Sequence, residues 1–176
     1  MDWIGGGNMQ QGFSPEGYII DQNCFGAYRY RTIPSSINGC GWIAAFDFLH
    51  ALAIPVTWRQ VLSEMDAMYP VKEPGPTPEE FLYQYLLRYT SFTVSYGKKA
   101  VLRASYTAQA GILRYWEEGE PHFVPFVRQE QKLFRFFNVI DGMEDCTFTM
   151  SEFIKQRCVV PVLRAVTAGS KELIVR

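Results

Sequence analysis

The sequence predicts an α+β domain, with helices gathered in its first half and antiparallel strands in its second. Two observations carry this. Between Cys40 and about Tyr89, apolar residues recur at helical spacing behind recognisable helix starts. From Ser91 onward, short runs rich in aromatic and β-branched residues are separated by polar or glycine-containing links. A length of 176 residues suits one domain with a real hydrophobic core, spanning 1–176. Residues 1–15, rich in Gly and Gln, read as a loosely held arm.

Taken in order, Tyr18–Ile20 and Phe25–Ile33 are β-rich and lead through Pro34 and two serines to Cys40. The stretch Cys40–Leu52 reads as a helix. Trp42, Ile43, Phe46 and Leu49 line one apolar face, and Ala44 and Ala45 permit close packing. Pro55 marks its end. Thr57 and Gln60 have capping-box spacing and open a second helix running to about Met68. Thr77 as cap, Pro78 in the first turn and Glu80 closing the box predict a third helix to about Tyr89. Ser91–Gly97 reads as a strand, and Thr107–Gly119 as a short helix stopped by its glycine. Two strands follow, His122–Val127 and Leu133–Ile140, joined by a polar link centred on Glu130. Ser151 is read as the cap of a helical turn, and Cys158–Val166 as a last strand.

Composition narrows the function. A formal net charge of −1, without any dense run of Lys and Arg, leaves no electrostatic footprint for a nucleic-acid partner. No apolar run reaches the length of a membrane span, and the first residues do not read as a secretory signal. The expectation is a soluble, cytoplasmic protein. The cysteines Cys24, Cys40, Cys146 and Cys158 contain no C-x-x-C pair, and the only histidines are His50 and His122. That pattern signals neither a redox motif nor a metal site, so no metal or other cofactor is expected. Glu117 and Glu118 are adjacent and diverge on the expected helix, so they form no acid–base couple. Gly5–Asn8 lacks the strand–loop–helix setting of a phosphate loop. The aromatic Phe134–Phe137 run reads as core.

Cys40 stands apart. It lies between Gly39 and Gly41 where a helix begins, and the positive end of a helix favours the thiolate. Its backbone N–H, in the first turn, is free to donate to an oxyanion. A base must be an imidazole. His50 is ten residues along the same helix, about 15 Å away, which leaves His122. A hairpin centred on Glu130 sets His122 across from Asn138 on the same face, where Asn138 orients the imidazole. Asp141 is the alternative orienter.

The blocks around Cys40, "EPHFVPFV" and "LFRFFNVIDG" resemble the papain-like cysteine peptidase superfamily. The flavour is nearest to the short bacterial branch that includes bacteriocin-processing peptidase domains of ABC exporters. The resemblance spans Ser35–Gly142 and is one of pattern: Cys opening the central helix, His starting a strand, then Asn or Asp on the next strand. It implies a papain-like fold and a thiol-dependent hydrolase with Cys40, His122 and Asn138 in the three catalytic roles. The family also carries a Gln six residues before the Cys as an oxyanion donor. Here that position is Pro34, which has no donor. Asn38 is the nearest replacement, and Gln22 or Asn23 could fold back. The implied partner is a peptide or another acyl or amide substrate. The same fold and thiol also serve an acyltransferase or deamidase, and a silent peptide-binding module is the third reading.

Overall fold

The computed structural model describes residues 11–69, 74–117, 119–140, 145–158 and 164–169. They form an α+β fold around one six-stranded sheet in which every ladder is antiparallel. Chain order begins with a 3-10 turn, Gln22–Phe25, and a two-residue-per-strand hairpin, β1 (Arg29–Tyr30) and β2 (Ile33–Pro34). Four helices follow: α1 (Ser35–Asn38), α2 (Cys40–Ala51), α3 (Trp58–Ala67) and α4 (Glu79–Leu86). The remainder is β3 (Thr93–Tyr96), α5 (Lys98–Ser105), β4 (Ala108–Glu117), β5 (Glu120–Arg128), β6 (Leu133–Phe137), β7 (Asp145–Thr149), α6 (Met150–Arg157) and β8 (Arg164–Gly169). The strand order is β3-β8-β4-β5-β6-β7. Among the described residues no helix is long and apolar enough to cross a membrane.

The α2 helix is the centre of the fold. The sequence gives it one apolar face, but every residue from Cys40 to Leu49 is buried, Asp47 among them. A helix apolar nearly all round belongs inside a core, and α2 packs against α3, α4, β4 and β5. Burying Trp42, Ile43, Phe48 and Leu49 contributes about 1.5–3 kcal/mol for each side chain. A second cluster, including Val101, Tyr115, Phe126, Phe136 and Phe153, packs α5 and α6 to the sheet.

Several elements differ from the sequence reading. Ala108–Glu117, inside the segment read as a helix, is instead the strand β4. It pairs with β5 on one side and β8 on the other and is buried on both faces, so its apolar residues form a continuous run that imitates helical spacing. The helix lies just earlier, at α5. Pro78, not Thr77, is the residue before α4, and the Thr77 hydroxyl donates to Tyr30 Oη at 3.2 Å instead of capping. The α6 cap is Thr149 rather than Ser151, in a full capping box with Glu152. Of the segment read as a loose arm, residues 1–10 lie outside the described residues. Residues 11–15 are held: Ser14 is buried, Phe13 bridges Ile19, and Ile20 N–H donates to Gly12 O at 2.9 Å.

Candidate active site

Three segments converge on the N-terminus of α2. The first is the β1–β2 hairpin, whose two turn residues, Arg31 and Thr32, have φ of 50° and 75°. Two successive positive φ values are the signature of the tight turn that matches strand twist, though without the usual Asn or Gly. Other contacts hold it: Arg31 N–H donates to Asp66 Oδ1 at 2.7 Å, and the Arg31 guanidinium lies 4.2 Å from the Tyr69 ring centre. The hairpin aims α1, because Ser35 N–H donates to Tyr28 O and Asn38 Nδ2 donates to Tyr30 O. From there the backbone stays helical through Gly39 into Cys40. Gly41 is required by packing: a Cβ there would stand 2.0 Å from Thr77 Oγ1.

The second segment is β5. His122 is buried on this strand, close enough to the Cys40 thiol to lower its pKa. Burial pushes the Cys40 thiol up. The His122 hydrogen bond and charge, with the N–H groups of Phe123 and Gly41, outweigh that and hold it below the ordinary cysteine range. Cys24 and Cys158 move the other way. Burial first, then the Asp21 carboxyl, raises Cys24; burial and Glu117 push Cys158 up to about 12. No described backbone acceptor takes the Cys40 N–H, so the first-turn donor beside the thiol is free. His50, as its distance along α2 requires, is elsewhere, donating from Nε2 to Glu16 O at 2.8 Å.

Asn138 is near His122 by a route the sequence did not suggest. The β5–β6 register sets Arg128 opposite Phe134 and Phe126 opposite Phe136, which centres the hairpin on Gln131 and moves each partner two residues from the register expected around Glu130. The ladder ends there, and the ladder partner of His122 is Tyr115 on β4. Asn138 then leaves the strand with φ 55°, a conformation asparagine tolerates. This turns its backbone carbonyl to His122 Nε2 at 2.9 Å. A carbonyl only accepts, so Nε2 carries the proton and Nδ1 is left for the thiol. The Asn138 side chain does not orient His122. It binds Gln22 instead: Oδ1 accepts from Gln22 N–H at 2.9 Å and Nδ2 donates to Gln22 Oε1 at 3.0 Å. Asp141 lies outside the described residues.

The third segment is the strap of residues 11–25. Ile19 N–H donates to Asp47 Oδ1 at 2.8 Å, and Arg135 pairs with Glu16 at 3.0 Å. These contacts deliver Gln22 between Asn138 and α1, where Nε2 donates one hydrogen to Ser36 O at 3.0 Å. The second Nε2 hydrogen has no partner among the described residues. Asn38 is not an oxyanion donor. Its Nδ2 gives its hydrogens to Tyr30 O and Gly75 O, and the atom left without a partner is the acceptor Oδ1.

The sequence reading thus missed the Asn138 carbonyl and the Phe123 N–H, and it gave Gln22 only a passing place. Main-chain groups carry no residue-type signal, and the strap contacts are long-range. An open depression of about 400 Å³ on α3, lined by Tyr28, Arg29, Trp58, Arg59 and Asp66 among others, includes none of these site residues. Among the described residues no cluster of His, Cys, Asp and Glu is arranged to hold a metal ion. No protein-family model matches this chain, and no curated protein or solved structure gives a significant match.

Proposed function

We propose that this chain is a thiol-dependent hydrolase of papain-like design that cleaves peptide or amide bonds. One observation carries the reading: a cysteine at the start of a long buried helix has its thiol held below the ordinary range by a neighbouring histidine, whose Nε2 donates to a main-chain carbonyl. Nucleophile, base and orienter are the parts nucleophilic acyl transfer needs.

In this mechanism the Cys40 proton passes to His122 Nδ1 as Sγ bonds to the acyl carbon. The oxyanion is held by the Cys40 N–H and the second Nε2 hydrogen of Gln22, which takes the place left by Pro34. His122 returns the proton to the leaving amine as the C–N bond breaks. Water then adds to the thioester, giving its proton to His122. The S–C bond breaks, the acid leaves and the thiol is restored. Transfer to an amine acceptor instead of water, as in an acyltransferase, follows the same steps up to the thioester. Cys40 is only 6% exposed, which favours the third reading, a peptide-binding module without turnover.

The test is iodoacetamide labelling of each cysteine against pH, read by peptide mass. Cys40 is expected to label at about pH 6 at least tenfold faster than Cys24 or Cys158, and to lose that advantage in His122→Ala. Labelling of Cys40 only above about pH 8 would remove the hydrolase and leave the binding module.

A further inference from the structure

An acid is out of place on α2. From Cys40 to Leu49 every other residue is cysteine, glycine, alanine or a large apolar side chain, and Asp47 stands among them between Phe46 and Phe48, 1% exposed. Burying a carboxyl in such surroundings costs free energy unless a hydrogen bond offsets it. Asp47 makes one: Oδ1 accepts from the Ile19 N–H at 2.8 Å, while Oδ2 has no partner among the described residues. What the carboxyl provides is therefore an acceptor for a single N–H of the strap.

The other ties on this part of the strap lie nearer the surface. Glu16 pairs with Arg135, which also donates to both oxygens of Asp145 at 2.7 Å, and exposed ion pairs of this kind contribute little. Tyr18 stacks on Phe137, the residue before Asn138, with ring centres 4.2 Å apart. Between Ile19 and Gln22 the chain has little freedom. Ile20 N–H donates to Gly12 O, and Asp21 caps the 3-10 turn by accepting from Asn23 N–H at 2.9 Å. Pinning Ile19 to α2 thus sets where Gln22 falls. There Gln22 bonds to the Asn138 side chain and to Ser36 O. Ser36 is on α1, which leads into Cys40, and the Asn138 carbonyl holds His122.

Resting on the hydrolase reading, we infer that Asp47 is a positioning residue for acyl transfer: through Ile19 it fixes the strap so that Gln22 stays in the site as an oxyanion donor. Asp47 itself touches neither substrate nor thiol. Without its acceptor the Ile19 N–H turns to water, and Gln22 spends part of its time away from Asn138 and Ser36. Cys40 and His122, carried by α2 and β5, keep their places.

The experiment compares two reactions of Cys40 in the full chain, each corrected for the rate of Cys40→Ala. With p-nitrophenyl acetate, Sγ bonds to the acetyl carbon, the thiol proton goes to His122, and p-nitrophenolate leaves with the C–O electron pair. That path passes through a tetrahedral oxyanion. With iodoacetamide, Sγ displaces iodide at carbon and no oxyanion forms. The acylation-to-alkylation ratio at pH 6 therefore reads the oxyanion site apart from the thiolate. Asp47→Leu and Asp47→Ala, one filling the space and one emptying it, are expected to lower the ratio about tenfold, short of the roughly 10²–10³ for outright loss of a donor. Asp47→Asn, which keeps an acceptor for Ile19, is expected to hold it within about twofold of wild type. Asp47→Leu combined with Gln22→Ala should be no worse than Gln22→Ala alone, because both act through one group. Native-state hydrogen exchange needs no variant: the Ile19 and Gln22 amides are expected to open together. A ratio unchanged in Asp47→Leu and Asp47→Ala overturns the positioning role and leaves the hydrolase reading standing. So does a double variant much worse than Gln22→Ala, or a Gln22 amide that opens far more readily than Ile19. A wild-type Cys40 that is not acylated overturns the hydrolase reading, and this inference with it.

Discussion

Asn138 reaches the candidate site twice, once through its backbone and once through its side chain, and the two can be separated by substitution. Its carbonyl holds His122, while its amide holds Gln22. Glycine adopts a positive φ without cost, so Asn138→Gly keeps the carbonyl in place and deletes the side-chain bonds. Asn138→Gly is expected to label at Cys40 near the wild-type rate at pH 6. Hydrolysis of the best peptide substrate is expected to fall by about 10²–10³, as for loss of one oxyanion donor. Gln22→Ala should show the same split, and the double variant should be little worse than either single one. Loss of low-pH labelling in Asn138→Gly would instead return the orienting role to the side chain. Cys40 and His122 were legible in the sequence because only two histidines exist and helix rise excludes one of them. The working atom of Asn138 was not legible, since a carbonyl belongs to every residue and only a φ of 55° aims it here.

At the level of elements, β4 is where sequence periodicity and structure disagree most. Its middle includes Gly111, and a Cβ added there would stand 2.3 Å from the Phe126 ring and 2.5 Å from Val166 O. The glycine is what lets Phe126 lie across the central strand. Gly111→Ala is expected to destabilise the domain by at least the 1–3 kcal/mol typical of overpacking, because one of the two obstacles is backbone. Urea unfolding checks this; a shift below about 0.5 kcal/mol would mean that the sheet yields. Local signals were reliable where the deciding partner is close in sequence. Thr57 accepts from Gln60 N–H as its spacing predicts. They failed where a distant partner intervenes, as Tyr30 does for Thr77.

Across the whole molecule, the strap is tied to the core by a buried acid. Asp47 lies inside α2 with Oδ1 on Ile19 N–H and Oδ2 without a partner. Burial raises its carboxyl well above the usual carboxylate range, opposed only by the Ile19 N–H. The sign follows from linkage. Above the unfolded-state value the native carboxyl still holds its proton while the unfolded chain has released it, so stability falls as pH rises. The loss begins near pH 4 and continues until the native carboxyl ionises, with a limiting slope of about 1.4 kcal/mol per pH unit. Asp47→Asn keeps an acceptor for Ile19 and cannot ionise. Urea midpoints between pH 4 and 8 are expected to decline less for Asp47→Asn than for wild type. Parallel declines would show that Asp47 is ionised in the native state or that other groups dominate.

The sequence by itself determined the α+β class, the position of α2 and α3, the strands around the β5–β6 link, and the choice of His122 over His50 as the neighbour of Cys40. These depend on short-range periodicity, on caps three residues apart, and on the scarcity of histidine. Tertiary structure decided the rest. It made Ala108–Glu117 a strand by supplying partners on both edges, and it brought Gln22 to Asn138 across 116 residues of chain. It also set the β5–β6 register, which a polar link of several residues leaves open to a shift of two. The physical reason is the same throughout. Local propensities differ by only about 1 kcal/mol per residue, so contacts made far along the chain outweigh them wherever a segment is buried on both faces.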